Sequence, residues 1–323
     1  MAVHTIGDLK QMQSLPLEAK IIMTKNRIRL FYDKHDSYIS FSGGKDSTVL
    51  LDIARDIFPD MPAVFSDTGL EYPELREFVK TIPNVIWVHP IKYDRSKKEY
   101  VRTNFREVIK EYGYPIISKD VANCVQGARH GSSTRMSRLE GNLIGGNGKL
   151  SIYNCPKWKY LLDAPFKVSD NCCRIMKKNP MLVFQKKHNL APITAMMACE
   201  SLKRKNAWFR TGCNIFDEKH PQSNPMAFWT EQDVLQYLKE KKIPYTSIYG
   251  DIIEDENGKL KTTGCKRTGC IFCGFGCHLE KEPNRFQRLK ITHPQLHEYC
   301  MKSWSDGGLG MREVLNYIGV RSE

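Results

Sequence analysis

The sequence predicts an α/β protein: a doubly wound, mostly parallel sheet with helices on both faces. Three apolar runs of strand type, at 38–42, 63–66 and 85–88, are separated by stretches with helical spacing. A pair of glycines joins the first run to the helix that follows it, and the first two runs enclose a βαβ unit of ordinary length. Strands that alternate with helices in this way favour parallel pairing.

Elements outside this core are predicted from local patterns. Residues 15–36 have the apolar spacing of a helix placed before the sheet, and 119–130 is predicted to be helical as well. The run 191–197 is predicted to be a buried strand. Further along the chain, Thr230 to Asp233 resembles a capping box at the start of a helix, and Asn257-Gly258 is typical of a hairpin turn.

The turn after the first strand has the composition of a phosphate site, Ser42-Gly43-Gly44-Lys45-Asp46-Ser47. Glycines let the backbone approach an anion, and the N–H groups and dipole at a helix start favour negative charge. Lys45 adds a cation, while Ser42, Ser47 and Thr48 add hydroxyl donors. This loop differs from the longer GxxxxGK[ST] loop. A bare Gly-Gly turn would suggest packing alone. The six residues Ser42–Ser47, placed between a strand and a helix, instead favour nucleotide binding.

The second strand also ends in polar residues, Asp67-Thr68-Gly69. In parallel α/β sheets, ligands bind at the carboxyl ends of strands, near the point where strand order reverses. Both segments are expected at that edge. Taken alone, Asp67 could equally be an ordinary helix cap or turn residue.

Composition indicates a polyanionic partner. The chain has 323 residues and a net charge of +13, and its basic clusters lie in the second half: Lys177-Lys178, Lys186-Lys187, Lys203-Arg204-Lys205 and Lys266-Arg267. Trp208 and Phe209 lie beside one cluster, as a stacking surface for bases would require. The interpretation favoured here is nucleic acid, tRNA or DNA. A solvated basic face or a site for a small phosphorylated substrate are the alternatives.

Location is inferred from two absences. The sequence contains no run of roughly 18 apolar residues, so no membrane span is expected. The first residues lack a basic and then apolar signal pattern, so the expected location is the cytoplasm.

Eleven cysteines in a cytoplasmic chain favour metal or redox chemistry over disulfides. Four of them fall between positions 265 and 277, with C-x4-C-x2-C-x3-C spacing: Cys265, Cys270, Cys273 and Cys277. Thiolates suit zinc or an iron–sulfur centre, and His278 is a spare ligand. We expect Cys124, Cys155, Cys199, Cys213 and Cys300 to be small core residues.

The loop Ser42–Ser47 matches the signature of the PP-loop ATP pyrophosphatases and of the phosphoadenosine phosphosulfate (PAPS) reductase family. The chain resembles this family from about Ser37 to Cys277, including Trp229-Thr230 with Asp233 and the turn Ile243-Pro244-Tyr245. The resemblance implies a Rossmann-like fold of the adenine nucleotide alpha-hydrolase type with a cysteine-rich C-terminal extension. The predicted domains are a helical segment 1–36, a PP-loop nucleotide-binding α/β domain 37–250, and a metal-binding and helical region 251–323.

The resemblance also implies site residues. Glu200, Ser201 and Arg204 resemble the family's substrate-facing loop, and they join the Ser42–Ser47 loop and Asp67–Gly69 in the predicted nucleotide site. The cysteine pairs resemble those that hold a [4Fe–4S] cluster in adenylyl-sulfate reductases: Cys172, Cys173, Cys270 and Cys273. The alternative is the local set 265–277, which could hold Zn²⁺ or a cluster.

Two departures from the family decide the predicted reaction. The segment 311–323 has no cysteine where reductases carry a catalytic Glu-Cys-Gly-like motif, and an arginine expected near Met197 is missing. The prediction is therefore an ATP-using enzyme that adenylates an acceptor and couples this to sulfur transfer, with a cysteine desulfurase as a candidate sulfur donor. Lys45, Asp46 and Asp67 are its predicted catalytic residues, the two carboxylates holding Mg²⁺.

Two alternatives remain open. One is a PAPS or adenylyl-sulfate reductase that takes its thiol from Cys300 or from a partner protein. The other is a non-catalytic module that binds a nucleotide or nucleic acid.

Overall fold

The computed structural model describes residues 4–217 and 219–323. Most of its regular secondary structure is helical. In chain order, its helices are α1 (Ile6–Gln13), α2 (Leu17–Tyr32), α3 (Lys45–Ile57), α4 (Pro73–Thr81), α5 (Phe105–Tyr112), α6 (Lys119–Arg129), α7 (Ser133–Glu140), α8 (Asn171–Cys173), α9 (Asn179–His188), α10 (Leu202–Thr211), α11 (Glu231–Lys241), α12 (Arg285–Thr292), α13 (Pro294–Met301) and α14 (Met311–Tyr317).

The strands are short. They are β1 (Ser37–Phe41), β2 (Ala63–Ser66), β3 (Val85–Val88), β4 (Ile91–Asp94), β5 (Glu99–Arg102), β6 (Ile116–Ile117), β7 (Ala191–Ile193), β8 (Asn214–Ile215), β9 (Gln222–Ser223), β10 (Ile252–Glu254), β11 (Leu260–Thr262) and β12 (Gly274–Phe275).

Six strands form the main sheet, in the order β3-β2-β1-β7-β9-β8. All neighbours pair in parallel except β8 and β9, which are antiparallel. The chain builds the sheet outward from β1 to β3 and then returns to the other side of β1, so the strand order reverses between β1 and β7. This architecture confirms the predicted doubly wound α/β fold, and β2 and β3 have the predicted bounds.

Contacts between residues divide the chain into two compact units. Unit 1 comprises the described residues of Met1–Asp67, Glu71–His89 and Pro180–Thr268, and it contains the main sheet. Unit 2 comprises Thr68–Leu70, Pro90–Asn179 and Gly269–Glu323. Both units are discontinuous in sequence, whereas 1–36, 37–250 and 251–323 are consecutive segments. That consecutive division stays a prediction.

The core of unit 1 joins α2, α3 and α11 to the sheet. Trp229 is fully buried, and its indole N–H donates to the hydroxyl of Thr24 at 2.9 Å. Nearby, the ammonium of Lys20 is buried and lies 2.7 Å from a carboxylate oxygen of Asp233. The same carboxylate completes the capping box with Thr230, as the sequence predicted. One buried ion pair therefore fixes α2 to the start of α11.

Unit 2 is mainly helical, with small two-stranded sheets. The cysteine-rich segment enters it through β12, which pairs in parallel with β6. A π-helical turn, Arg174–Lys178, separates α8 from α9 and follows Cys172 and Cys173 directly. No helix in the described ranges is both long enough and apolar enough to cross a bilayer.

Asp233→Ala is expected to lower the free energy of unfolding by about 3 kcal/mol or more, because it leaves the buried Lys20 ammonium unpaired and removes a helix cap. Glu77→Ala is the control: its pair with Lys80 is exposed, and we expect it to cost about 0.5 kcal/mol. Urea denaturation checks both. A loss no larger than that of the control would contradict the structural role of the Lys20–Asp233 pair.

Candidate nucleotide-binding site

The Ser42–Ser47 loop occupies the position that nucleotide sites take in open α/β sheets. It begins where β1 ends and passes into α3, whose N-cap is Gly44. Since β1 and β7 flank the reversal of strand order, the loop lies at the switch point of the sheet.

Two glycines shape the loop for different reasons. Gly43 has a φ of +71°, and a Cβ there would lie 2.7 Å from Val79 Cγ2 and 2.8 Å from Leu75 Cδ2 of α4. A Cβ on Gly44 would lie 3.1 Å from the Tyr249 hydroxyl. Side chains at either position would push neighbouring elements away from the backbone, so both positions favour glycine.

The loop hydroxyls are tied to the loop itself. Ser42 Oγ and Ser47 Oγ lie 3.0 Å apart, and Ser47 Oγ donates to the Gly44 carbonyl at 2.9 Å. Thr48 Oγ1 donates to the same carbonyl at 3.1 Å. These bonds hold the first turn of α3 in place. In the described part of the chain, no acceptor is found for the backbone N–H groups of Asp46 and Ser47.

Lys45 is buried and held by residues distant in sequence. Its Nζ donates to the Lys266 carbonyl at 2.9 Å and lies 3.2 Å from Glu231 Oε1. Its backbone N–H donates to the Tyr249 hydroxyl at 3.3 Å. The cation predicted from the motif is therefore present beside the loop, fixed by the segment around 266 and by α11.

One carboxylate oxygen of Asp46 is buried beside the loop. Oδ1 is enclosed, and no described group bonds to it. Burial raises the pKa of Asp46 above its ordinary value, and Lys45 opposes this rise. Glu231 raises this pKa further, whereas Arg267 and Arg204 lower it. A buried, unpaired oxygen with both cations and a carboxylate nearby is typical of a site built for a charged ligand.

The loop after β7 supplies further charges. Glu200 forms an ion pair with Arg204 and lies 3.8 Å from Arg267. Burial lowers the pKa of Arg204. Ser201 caps α10, its hydroxyl accepting the Arg204 N–H at 3.3 Å. Arg204 acts electrostatically on Asp46, so the structure brings this predicted loop into range of the Ser42–Ser47 loop.

The other predicted nucleotide residues are placed differently. The Asp67 carboxylate accepts a hydrogen bond from Arg76 at 2.8 Å, and His89 Nδ1 lies 3.9 Å from it. Thr68 and Gly69 belong to unit 2, where Thr68 Oγ1 accepts the Leu70 N–H at 3.1 Å. Asp67 is thus part of an ion pair with α4, and its role as a magnesium ligand stays a prediction.

Four cysteines line one small pocket in unit 2, of about 20 Å³: Cys172, Cys173, Cys270 and Cys273. The hydrogen bond from Cys172 lowers the pKa of Cys173 to about 6, and Lys119 and Lys177 add to this effect. The same bond and burial raise the pKa of Cys172. The pocket therefore holds one thiol that ionises near neutral pH, surrounded by three others.

The geometry does not form a finished metal site. Within residues 4–217 and 219–323, no three or more histidine, cysteine or carboxylate side chains are arranged to hold a metal ion. The alternative local set is divided, since Cys265 belongs to unit 1 and Cys277 to unit 2. Cys277 is buried and donates its S–H to the Gly274 carbonyl at 3.0 Å.

Sequence reasoning misplaced two residues. Cys199 was expected in the core, but it is exposed, whereas Cys124, Cys213 and Cys300 are buried as expected. Cys155 is half-buried, with its Sγ 4.0 Å from that of Cys124. The stacking surface proposed at Trp208 is wrong, because that side chain is only 3% exposed and stacks on His4 inside unit 1.

Three site residues were missed: Tyr249, Glu231 and Arg267. Glu231 lies in the Trp-Thr motif that carries the family resemblance, and Arg267 lies in a predicted basic cluster, so both had a signal in the sequence. Tyr249 had none, because its bond to Lys45 spans 204 positions.

Asp46→Asn is expected to stabilise the ligand-free protein at pH 7 by about 1 kcal/mol, because it removes a buried, unpaired charge. The pKa of the Asp46 carboxyl is higher in the folded protein than its ordinary value of 3.8. The stability of the wild-type protein therefore falls as the pH rises through this raised pKa, and the stability of the variant does not. The control is Asp255→Asn. Backbone N–H groups lower the pKa of the Asp255 carboxyl, so this substitution is expected to destabilise the protein. Melting temperatures from pH 4 to 8 check this, and a destabilised Asp46→Asn protein would contradict it.

Comparison with known proteins gives a family. The model of the phosphoadenosine phosphosulfate reductase domain matches residues 36–129 and 150–274. An uncharacterized protein of Methanocaldococcus jannaschii is 34% identical over 83% of this chain and 49% of its own length, so the chain spans about half of that relative.

Two relatives carry reductase names. A phosphoadenosine 5'-phosphosulfate reductase of Gloeobacter violaceus is 22% identical, over 75% of this chain and 74% of its own. An adenosine 5'-phosphosulfate reductase of Staphylococcus epidermidis is 23% identical, over 67% and 66%. The phosphate complex of a PAPS reductase from Candida auris aligns with a TM-score of 0.39 and 14% identity, covering 73% of this chain and 89% of that one. Since the domain model matches well over half of the sequence, the chain belongs to the phosphoadenosine phosphosulfate reductase domain family.

Proposed function

We propose that this protein binds ATP at the Ser42–Ser47 loop and adenylates an acceptor, which then receives sulfur. The proposal rests on polar groups at the start of α3 that have no partner among the described residues: the N–H groups of Asp46 and Ser47, and the buried Oδ1 of Asp46. Lys45 lies beside them as a buried cation. Donors and a cation at a helix start suit the phosphates of a nucleotide.

The proposed first step is attack of an acceptor oxygen on the α-phosphorus of ATP. The bond to the β-phosphate breaks, pyrophosphate leaves, and the acceptor becomes an AMP ester. The loop N–H groups and Lys45 stabilise charge on the departing phosphates. Mg²⁺ would neutralise phosphate charge, and the unpaired Asp46 carboxylate oxygen is of the hard donor type that this ion prefers.

In the second step, sulfur displaces AMP from the acceptor. Hydrosulfide does this without a change of oxidation state. A persulfide from a partner such as a cysteine desulfurase forms a disulfide with the acceptor, which a thiol must then reduce. The net charge of +13 supports a nucleic acid, tRNA or DNA, as the acceptor.

The four-cysteine pocket of unit 2 is proposed as the site of a [4Fe–4S] cluster, with Zn²⁺ as the alternative. Its donors are thiols, which suit soft metals, and one of them ionises near neutral pH. Such a centre would stabilise the surrounding fold or bind sulfur. Cys277 is a weaker candidate than Cys172, because Cys172 lines the pocket with the other thiols and Cys277 does not.

A second candidate function is sulfonucleotide reduction, favoured by the names of the two reductase relatives. It needs an accessible thiol. Cys300 does not meet this need, since it is fully buried and burial raises its pKa. The thiol would come from a partner such as thioredoxin.

Lys45→Ala is expected to lower ATP-dependent pyrophosphate release about 10²-fold, the usual effect of removing one group that stabilises developing charge. Lys266→Ala is the matched control, because Lys266 contributes its carbonyl, which the substitution retains. Pyrophosphate is measured with candidate RNA and DNA acceptors. Release that Lys45→Ala leaves unchanged would contradict a role for this loop.

The two reactions are separated by incubation with PAPS or adenylyl sulfate and thioredoxin. The leading proposal expects no sulfite under these conditions. Sulfite release would favour the reductase. Absence of turnover with every nucleotide would favour a non-catalytic binding module.

Serine substitution of Cys173, Cys270 or Cys273 is expected to remove most iron and acid-labile sulfide from anaerobically purified protein. Cys199→Ser is the control, since this exposed cysteine lies outside the pocket lining. Cys172→Ser and Cys277→Ser decide between the two predicted sets. Wild-type protein without iron but with stoichiometric zinc would favour the zinc alternative, and protein without either metal would refute the centre.

A further inference from the structure

A cavity of about 540 Å³ lies in unit 1, at the carboxyl edge of its sheet. This volume lies within the range of small-molecule sites, about 300–1,000 Å³. Its walls come from the segment after β7, from α10 and from the residues around β8 and β9. Because β7 and β9 are parallel neighbours, their carboxyl ends meet at the edge that also bears the Ser42–Ser47 loop.

The charged side chains that line the cavity are all cationic. Lys203, Arg204 and Arg210 line it, and no carboxylate does so among the described residues. Arg204 is paired with Glu200, but no described carboxylate forms an ion pair with Lys203 or Arg210. Two lining cations that have no carboxylate partner in the described part of the chain attract an anionic group such as a phosphate.

Two carboxamides in the lining present hydrogen-bonding groups. Asn224 Oδ1 accepts from Thr194 Oγ1 at 2.5 Å and from Gln222 Nε2 at 2.9 Å. These bonds fix the amide of Asn224, a residue only 8% exposed, and within the described chain its Nδ2 has no acceptor. A fixed amide donor beside the carboxamide oxygen of Gln222 is complementary to the edge of a nucleobase.

We infer that this cavity binds the acceptor as a nucleotide, with its base among the apolar wall and carboxamides and its phosphate at Lys203 and Arg210. The inference rests on the proposed function, because Arg204 both lines the cavity and acts on Asp46. An acceptor held there lies next to the loop that would present ATP. The bound nucleotide is either a free mononucleotide or part of a nucleic acid strand.

The test is titration calorimetry of CMP, GMP and UMP, and of a short single-stranded RNA and DNA, with and without a saturating non-hydrolysable ATP analogue. Lys203→Ala with Arg210→Ala is expected to weaken binding about a hundredfold, roughly tenfold for each lost charged contact. Lys205→Ala is the matched control on the same helix, because it does not line the cavity. Ala207→Trp fills the cavity without changing charge and is expected to abolish binding.

The outcomes distinguish a free nucleotide from a nucleic acid strand, and they test the cavity separately from the Ser42–Ser47 loop. Mononucleotide binding indicates a free nucleotide, and binding of strands alone indicates a nucleic acid. Binding that survives Ala207→Trp, or no binding of either form at millimolar concentration, overturns the inference. Binding of the ATP analogue is scored separately with Lys45→Ala, so a failed loop and a failed cavity give different results.

Discussion

The arrangement of residues at the carboxyl edge of the unit 1 sheet depends on the contacts of one buried group, the ammonium of Lys45. A lysine side chain that loses its water needs compensating oxygens, and it finds them in the Lys266 carbonyl and in Glu231. Satisfying this one charge draws the segment near 266 and the start of α11 to the first turn of α3. The loop is thereby enclosed by residues far apart in sequence, which places two arginines and the carboxylate of Glu231 around Asp46.

The sequence predicted those parts of the site that depend on neighbours along the chain. Gly43 has a positive φ that the strand-to-helix turn requires, and β2 occupies the residues expected from its apolar run. Such signals are local, because turn chemistry and side-chain period act over a few residues. Tyr249 could not be foreseen in this way, since its contact with the loop arises only when the sheet has assembled.

Burial was the harder property to predict. Trp208 lies beside a basic cluster and resembles a base-stacking residue, yet tertiary packing encloses it against His4. Cysteine is a residue type that usually lies in the core, yet the short turn after β7 leaves Cys199 exposed. In both cases the neighbours that decide accessibility come from other elements, so the local pattern is uninformative.

The exposure of Cys199 makes this residue a natural chemical handle. It is the single exposed cysteine of the eleven, all of which lie in the described ranges, and it is electrostatically coupled to Asp46, Arg267 and Glu231. A thiol-reactive fluorophore can reach this thiol beside the loop without engineered residues, and the raised pKa of Cys199 means that labelling proceeds faster at alkaline pH. Its emission would report the arrival of charge at Asp46 in real time.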